Sequence, residues 1–201
     1  MNQITRIVPE TTQAAEGLPR RRWTLAEIEQ LSEMGVFGGN DERPRERFEL
    51  IGGEIVPMAA KGAWHESLKK DLNRYWVRRL PDDIDMAPET TVRTPPDGFL
   101  EPDFIFWPGA IPLTALNFQV SLLVVEIADS SLLFDTKRKA PLYAGFGVRE
   151  YWVIDARRRR TTIHRDLADG AYRTVTTHAP TDILVPALVP ALAVRLADLP
   201  T

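Results

Sequence analysis

Residues 119–128 read QVSLLVVEIA, and this stretch decides the fold. A near-continuous apolar run of this kind predicts a central strand covered on both faces, since a half-wetted strand would alternate. One residue is out of place in it, Glu126. Downstream, a helix is expected around Lys139 to Phe146, followed by the strand Glu150 to Asp155 (EYWVID). Strand, helix and strand in that order imply a βαβ crossover inside a mixed sheet. Pro141 cannot sit deep inside a helix, so the regular helix is predicted to begin near Lys139. Asp135, Lys139 and Tyr143 are therefore not assumed to share one helical face.

Working outward toward the N-terminus, Ile84 to Arg93 and Leu100 to Trp107 read as two strands around the turn Pro95-Pro96-Asp97-Gly98. Trp64 to Leu80 is the best helical pattern in the chain. Leu68, Leu72, Tyr75, Trp76 and Arg79 fall on one side of it, and Pro81 ends it. Arg47 to Met58 (RFELIGGEIVPM) reads as a hairpin turning at Gly52-Gly53. Thr24 with Glu27 three residues later forms a capping-box signature before a short amphipathic helix over 24–34. Residues 1–22 read as a loose polar arm, leaving 23–201 as a single domain. Toward the C-terminus, Arg157 to Arg160 reads as a hairpin turn into Thr161 to His164, followed by a strand from Tyr172 to Thr177 and a proline-marked tail with one short strand or turn near Val194.

Composition narrows the function classes. The 201 residues are 44% hydrophobic and 26% charged, ordinary globular usage for a chain able to bury a core. The absence of cysteine excludes disulfides, thiolate catalysis and cysteine-ligated zinc, and suits a reducing cytoplasm. No apolar run is long enough to span a bilayer, and the polar N-terminus carries no export-signal pattern, so no membrane association is expected. The net charge of -3 argues against a dedicated high-affinity nucleic-acid binder. Two local basic runs, Arg20 to Arg22 and Arg157 to Arg160, stand against it. Each reads either as a backbone-gripping patch or as solvated charge.

Two carboxylates are misplaced for a core. Asp103 follows Pro102 at the head of Phe104-Ile105-Phe106-Trp107, and Glu126 interrupts Leu122 to Ile127. A buried carboxylate requires a cation, from a side chain or a metal. Carboxylates at neighbouring strand ends make an oxygen-rich pocket suited to Mg²⁺, and an ion pair with a basic side chain is the structural alternative. Lys139 stands either as a solvated lysine or as a charge near the reacting phosphate.

Several stretches in order resemble the Uma-type restriction-endonuclease family. They are Phe48-Glu49-Leu50-Ile51 with Gly53-Glu54, His65 opening the long helix, Leu100-Glu101-Pro102-Asp103, and Glu126-Ile127-Ala128-Asp129-Ser130-Ser131-Leu132. Asp135, Lys139, Tyr143-Ala144 and Gly147-Val148-Arg149-Glu150-Tyr151-Trp152 complete the set. The resemblance covers about residues 24 to 198. It implies a restriction-endonuclease-like α/β fold of the PD-(D/E)XK type, a mixed central sheet flanked by helices. Pro102-Asp103 matches the PD element and Glu126 the second acidic position. Ala128 stands where the usual lysine would be, and the resemblance shifts that lysine to Lys139. Gly52 departs from the aspartate that relatives often carry in the hairpin turn.

The resemblance further implies a metal-dependent endonuclease, acting on DNA. Asp103 and Glu126 would ligate Mg²⁺ or Mn²⁺, Lys139 would orient water, and Glu49 would support the site. His65 reads equally as a phosphate or metal-water contact and as a cap or packing residue. Tyr143 reads first as a core residue, and Asp135 as a partner that orients Lys139. The Glu150-Tyr151-Trp152 strand reads as structural. A homodimer would suit the cutting of two strands, although the sequence shows no coiled coil that would demand it. The competing readings are a catalytically inactive nucleic-acid-binding or protein-interaction module, and a hydrolase of another phosphate ester.

Overall fold

The apolar run folds as the strand Leu123–Ala128, with all six residues buried. It belongs to a computed structural model that describes residues 20–39, 44–58 and 60–200. Among the described residues the chain forms two compact units, one within Met1–Ala59 and Thr91–Glu101, the other within Ala60–Thr90 and Pro102–Thr201. Of the expected arm over 1–22, residues 1–19 lie outside the described residues.

The smaller unit opens on helix α1 (Leu25–Glu33). Its capping box is present as the sequence predicts. The Thr24 hydroxyl accepts the Glu27 N–H at 3.2 Å, and the Glu27 carboxylate accepts the Thr24 N–H at 2.9 Å. Such a cap is worth about 1 kcal/mol. The expected hairpin forms from β1 (Phe48–Ile51) and β2 (Glu54–Pro57). Gly52 and Gly53 turn it with φ of 56° and 81°, a conformation that favours glycine. With β4 (Val92–Arg93) and β5 (Phe99–Leu100) these strands make an antiparallel sheet in the order β2-β1-β5-β4. Ile28, Phe37 and Leu50 form its core, and the Phe37 and Phe48 rings lie 4.6 Å apart. The Arg20 to Arg22 run is engaged rather than loose. Arg20 pairs with Glu54 at 3.1 Å, Arg21 pairs with Glu27 at 2.9 Å, and Arg22 donates to the Gly52 carbonyl at 3.0 Å.

The larger unit is built on a six-stranded mixed sheet. Its strands are β3 (Ile84–Pro88), β6 (Phe104–Pro108), β7 (Leu123–Ala128), β8 (Tyr151–Asp155), β9 (Thr161–Ala168) and β10 (Ala171–His178), in the order β10-β9-β8-β7-β6-β3. Only β7 and β8 run parallel, with Glu126 opposite Val153. The segment between them carries the predicted crossover. Helix α2 (Ala63–Val77) covers one face. Its Leu68, Leu72 and Trp76 join Phe104, Phe106, Leu123, Val125 and Ile127, the alternate residues of β6 and β7, in one core. Trp76 meets Phe104 and Phe106 edge-on at 5.1 and 5.2 Å, and its indole N–H donates to the Leu192 carbonyl at 3.0 Å.

Two local expectations are revised. The expected single strand over Ile84 to Arg93 divides into β3 and β4, which enter different sheets. Local alternation predicts extended chain but carries no information about which partner the chain meets. The crossover helix begins at Leu132, seven residues before Lys139. It runs as α3 (Leu132–Phe134), a π-type turn (Asp135–Lys139) and α4 (Ala140–Gly145). Pro141 occupies the first turn of α4, where a missing N–H costs least, and the wider π-type turn before it carries the helical path past the proline. Glu150 proves structural, as expected: it is buried and accepts from the Trp152 indole at 2.6 Å, from Arg165 and from the Ala187 N–H.

Candidate active site

The sheet register brings the two misplaced carboxylates together. Phe104 pairs with Val125 across the antiparallel β6–β7 ladder, so Asp103 and Glu126 stand at the next rung. The ladder closes through a side chain: the Ile127 N–H donates to Asp103 Oδ2 at 2.8 Å. Both carboxylates are buried, at 4% and 5% exposure, and each has a cationic neighbour.

Glu126 faces the crossover helix. Lys139 Nζ donates to its Oε1 at 2.9 Å and Tyr143 Oη donates to the same oxygen at 2.7 Å. Lys139 closes the π-type turn, and Tyr143 follows one turn later in α4, so both reach the same oxygen from one side of the crossover. The Tyr143 ring is held by Phe118 and Tyr151, at 5.2 and 4.6 Å between centroids. Asp135 is also buried. It accepts from the Ser131 hydroxyl at 2.6 Å, and its carbonyl accepts from Tyr151 Oη at 3.2 Å.

Asp103 faces the start of α2. His65, in the first turn, approaches Asp103 Oδ1 with Nε2 at 2.9 Å, while its Nδ1 lies 3.1 Å from Glu66. Lys61, just before the Gly62 N-cap, sits 3.2 Å from the same Asp103 oxygen and also pairs with Glu89. Lys69 joins Glu89 at 2.6 Å and Glu66 at 2.8 Å. Burial acts to raise the Asp103 pKa. The His65 hydrogen bond and charge, the Lys61 charge and the Ile127 N–H outweigh it and hold the carboxyl below its usual range. Desolvation likewise acts to raise Glu89, but Lys61 and Lys69 pull it down to about 2.

Of the residues expected at the site, the structure brings Glu126 and Lys139 into direct contact. Tyr143 packs and also bonds Glu126, and His65 meets Asp103 without capping its helix. Lys61 and Glu89 were missed. Nothing local marks them; Glu89 sits in a turn at φ 51°, and its pairing with Lys61 spans 28 residues. Glu49 belongs to the smaller unit, where it is buried on β1 and accepts the Glu101 N–H at 3.1 Å.

The donor chemistry fits a magnesium-like ion. Two buried carboxylates opposite each other offer hard oxygen ligands, and Mg²⁺ characteristically takes one or two carboxylates and completes its shell with water and phosphate. Among the described residues no cluster of three or more His, Cys, Asp or Glu side chains forms a ready cage.

A mixed sheet flanked by helices is the fold class expected from the sequence. Residues 26–197 match the model of the Uma2 family, described as "Putative restriction endonuclease", and the chain belongs to that family. A solved structure from Anabaena variabilis, titled as a "putative nuclease belonging to DUF820", matches with a TM-score of 0.62 at 16% identity. The match covers 87% of this chain and 96% of that one. At that identity the likeness is one of fold. No curated protein matches the chain.

Proposed function

We propose that the protein is a divalent-metal-dependent endonuclease that hydrolyses phosphodiester bonds, with DNA as its substrate. The observation that carries this reading is the buried pair Asp103 and Glu126, opposite each other at the head of β6 and on β7, with Lys139 donating to Glu126 at 2.9 Å. Family membership supports the nuclease class.

Asp103 and Glu126 would hold Mg²⁺ or Mn²⁺. Such an ion supplies Lewis-acid polarisation of the phosphate and a more acidic water. The protein's own groups do the rest. Lys139, fixed between the π-type turn and Glu126, holds the attacking water and offsets charge developing on the phosphoryl oxygens. Water oxygen bonds to phosphorus as one P–O ester bond breaks, leaving a phosphate monoester and a hydroxyl. Tyr143 fixes the Glu126 rotamer, and His65 and Lys61 fix Asp103. Asp135 is proposed to steady the turn that carries Lys139. Glu49 is retained from the sequence resemblance as a third candidate acid. A homodimer would suit cleavage of both strands of a duplex. The proposed compartment is the cytoplasm; among the described residues no helix is long and apolar enough to cross a membrane.

Isothermal titration with Mn²⁺ tests the ligand assignment without relying on turnover. Wild type is expected to bind with a heat that Asp103→Asn and Glu126→Gln each abolish. Wild-type binding left unchanged in both variants would overturn the assignment.

A further inference from the structure

The four arginines after β8 are not one patch. Asp155, the last residue of β8, organises their turn: its Oδ1 accepts the Arg157 and Arg158 N–H groups at 3.0 and 2.8 Å. Arg159, at φ 53°, turns back into the fold and donates to the Leu196, Leu199 and Pro200 carbonyls, tying down the C-terminal tail. Arg157 does something different. Its Nε donates to Asp129 Oδ1 at 2.6 Å, and its side chain is 61% exposed. Asp129 follows β7 three residues after Glu126, and its other oxygen rests against Gly62, so closely that a Cβ there would collide with it. Gly62 is the N-cap of the helix whose His65 meets Asp103. The parallel pairing of Ala128 with Asp155 sets the arginine turn at the same end of the sheet as both candidate metal-binding carboxylates.

We infer that Arg157 is a phosphate-gripping residue of the substrate path, aimed by Asp129, which holds a nucleic-acid strand by a backbone phosphate beside the Asp103–Glu126 site. The inference deepens the nuclease reading and rests on it for the identity of the strand. Three features carry it. Among the described residues the guanidinium is bound through Nε alone, which leaves both terminal nitrogens for a ligand, and the forked geometry of arginine matches phosphate. The carboxylate that binds it is itself largely buried, with 13% of its side chain exposed, so it is a fixed anchor. The sheet register places it just beyond the ends of β7 and β8, at the end of the sheet where Asp103 stands opposite Glu126. Asp129 raises the Arg157 pKa further, so the charge is permanent.

The test is the salt dependence of binding of a fluorescein-labelled 20-base-pair DNA duplex and its single strand, measured by anisotropy on the full chain in EDTA, so that no cleavage intervenes. Each phosphate contact contributes about 0.9 to the slope of log K against log salt on duplex and about 0.7 on single strands. Arg157→Ala is expected to lower the slope by one such contact and to weaken binding uniformly across sequences. Arg157→Lys is expected to keep the slope while losing affinity, because a point charge replaces the fork. Asp129→Asn is expected to weaken binding even though it removes a negative charge. Arg173→Ala, on β10, serves as the control and is expected to change nothing. An unchanged slope in Arg157→Ala, tighter binding by Asp129→Asn, or no binding by wild type in low salt would each overturn the proposal. Binding that depends on Arg157 in a protein that never cleaves would uphold the grip and defeat the hydrolytic reading instead.

Discussion

Replacing Lys139 with methionine keeps the length of the side chain and removes the cation set against Glu126. Both residues are 5% exposed, and their 2.9 Å contact lies between β7 and the crossover. Taking one partner from a buried pair costs about 3–5 kcal/mol, because the remaining charge keeps its desolvation penalty and loses the attraction that offset it. Tyr143 still donates to Glu126 at 2.7 Å and recovers part of this, which sets the expectation near the lower end, about 3 kcal/mol. Removing the charge on the other side as well, in Lys139→Met with Glu126→Gln, leaves Tyr143 an amide oxygen to donate to and no isolated charge. The double variant is expected to regain at least half of the loss, a coupling of roughly 1.5 kcal/mol or more. Urea denaturation of wild type, both single variants and the double variant measures this directly, with equal m-values as the condition for comparing them. A Lys139→Met loss below about 1 kcal/mol, or strictly additive single effects, would refute the claim that this contact is a desolvated pair.

Trp76 is fully buried against two phenylalanines and bonds the Leu192 carbonyl, so Trp76→Ala is expected to cost about 3–5 kcal/mol and to lower the melting temperature; calorimetry checks it. His164 is held neutral, its pKa lowered from 6.5 to about 4 by burial and by the charge of Lys137. A depressed histidine contributes stability that is present above pH 6.5 and lost as pH falls toward 4, bounded at about 3 kcal/mol; His164→Phe is expected to flatten stability across that window. Glu89 works in the same direction at lower pH. Its contribution is present above 4.5 and lost toward 2, and because the side chain is about one-third exposed, screening limits it to about 1 kcal/mol; Glu89→Gln read by acid denaturation tests it.

How much of this was legible in the sequence depends on how far each signal reaches along the chain. Glu126 announced itself because a carboxylate inside LLVVEIA has no place in an ordinary core. The Thr24 capping box and the Gly52-Gly53 turn were legible for the same reason, each being complete within a few residues. Pro141 misled in the other direction. It marks a limit on regular α-helix, and the chain continued its helical path through a π-type turn that no propensity anticipates. The separation of β3 from β4, the pairing of Lys61 with Glu89 and the anchoring of Arg157 by Asp129 were not legible. Each is a partnership between distant segments that exists only once the sheet register is set. The two lysines at the site show the contrast: Lys139 was found through a family resemblance, whereas Lys61, as close to a carboxylate, sits in a loop whose sequence looks like any other.

Asp103 and Glu126 are proposed to form a hydrolytic centre for nucleic acid. Cleavage of supercoiled plasmid and of single-stranded DNA in Mg²⁺ and Mn²⁺, comparing wild type with Asp103→Asn and Glu126→Gln, tests it most directly. The expected result is metal-dependent cutting by wild type that EDTA and both substitutions abolish, while the variants remain folded. Wild type that cuts neither substrate with either metal, or cutting that survives both substitutions, would contradict it.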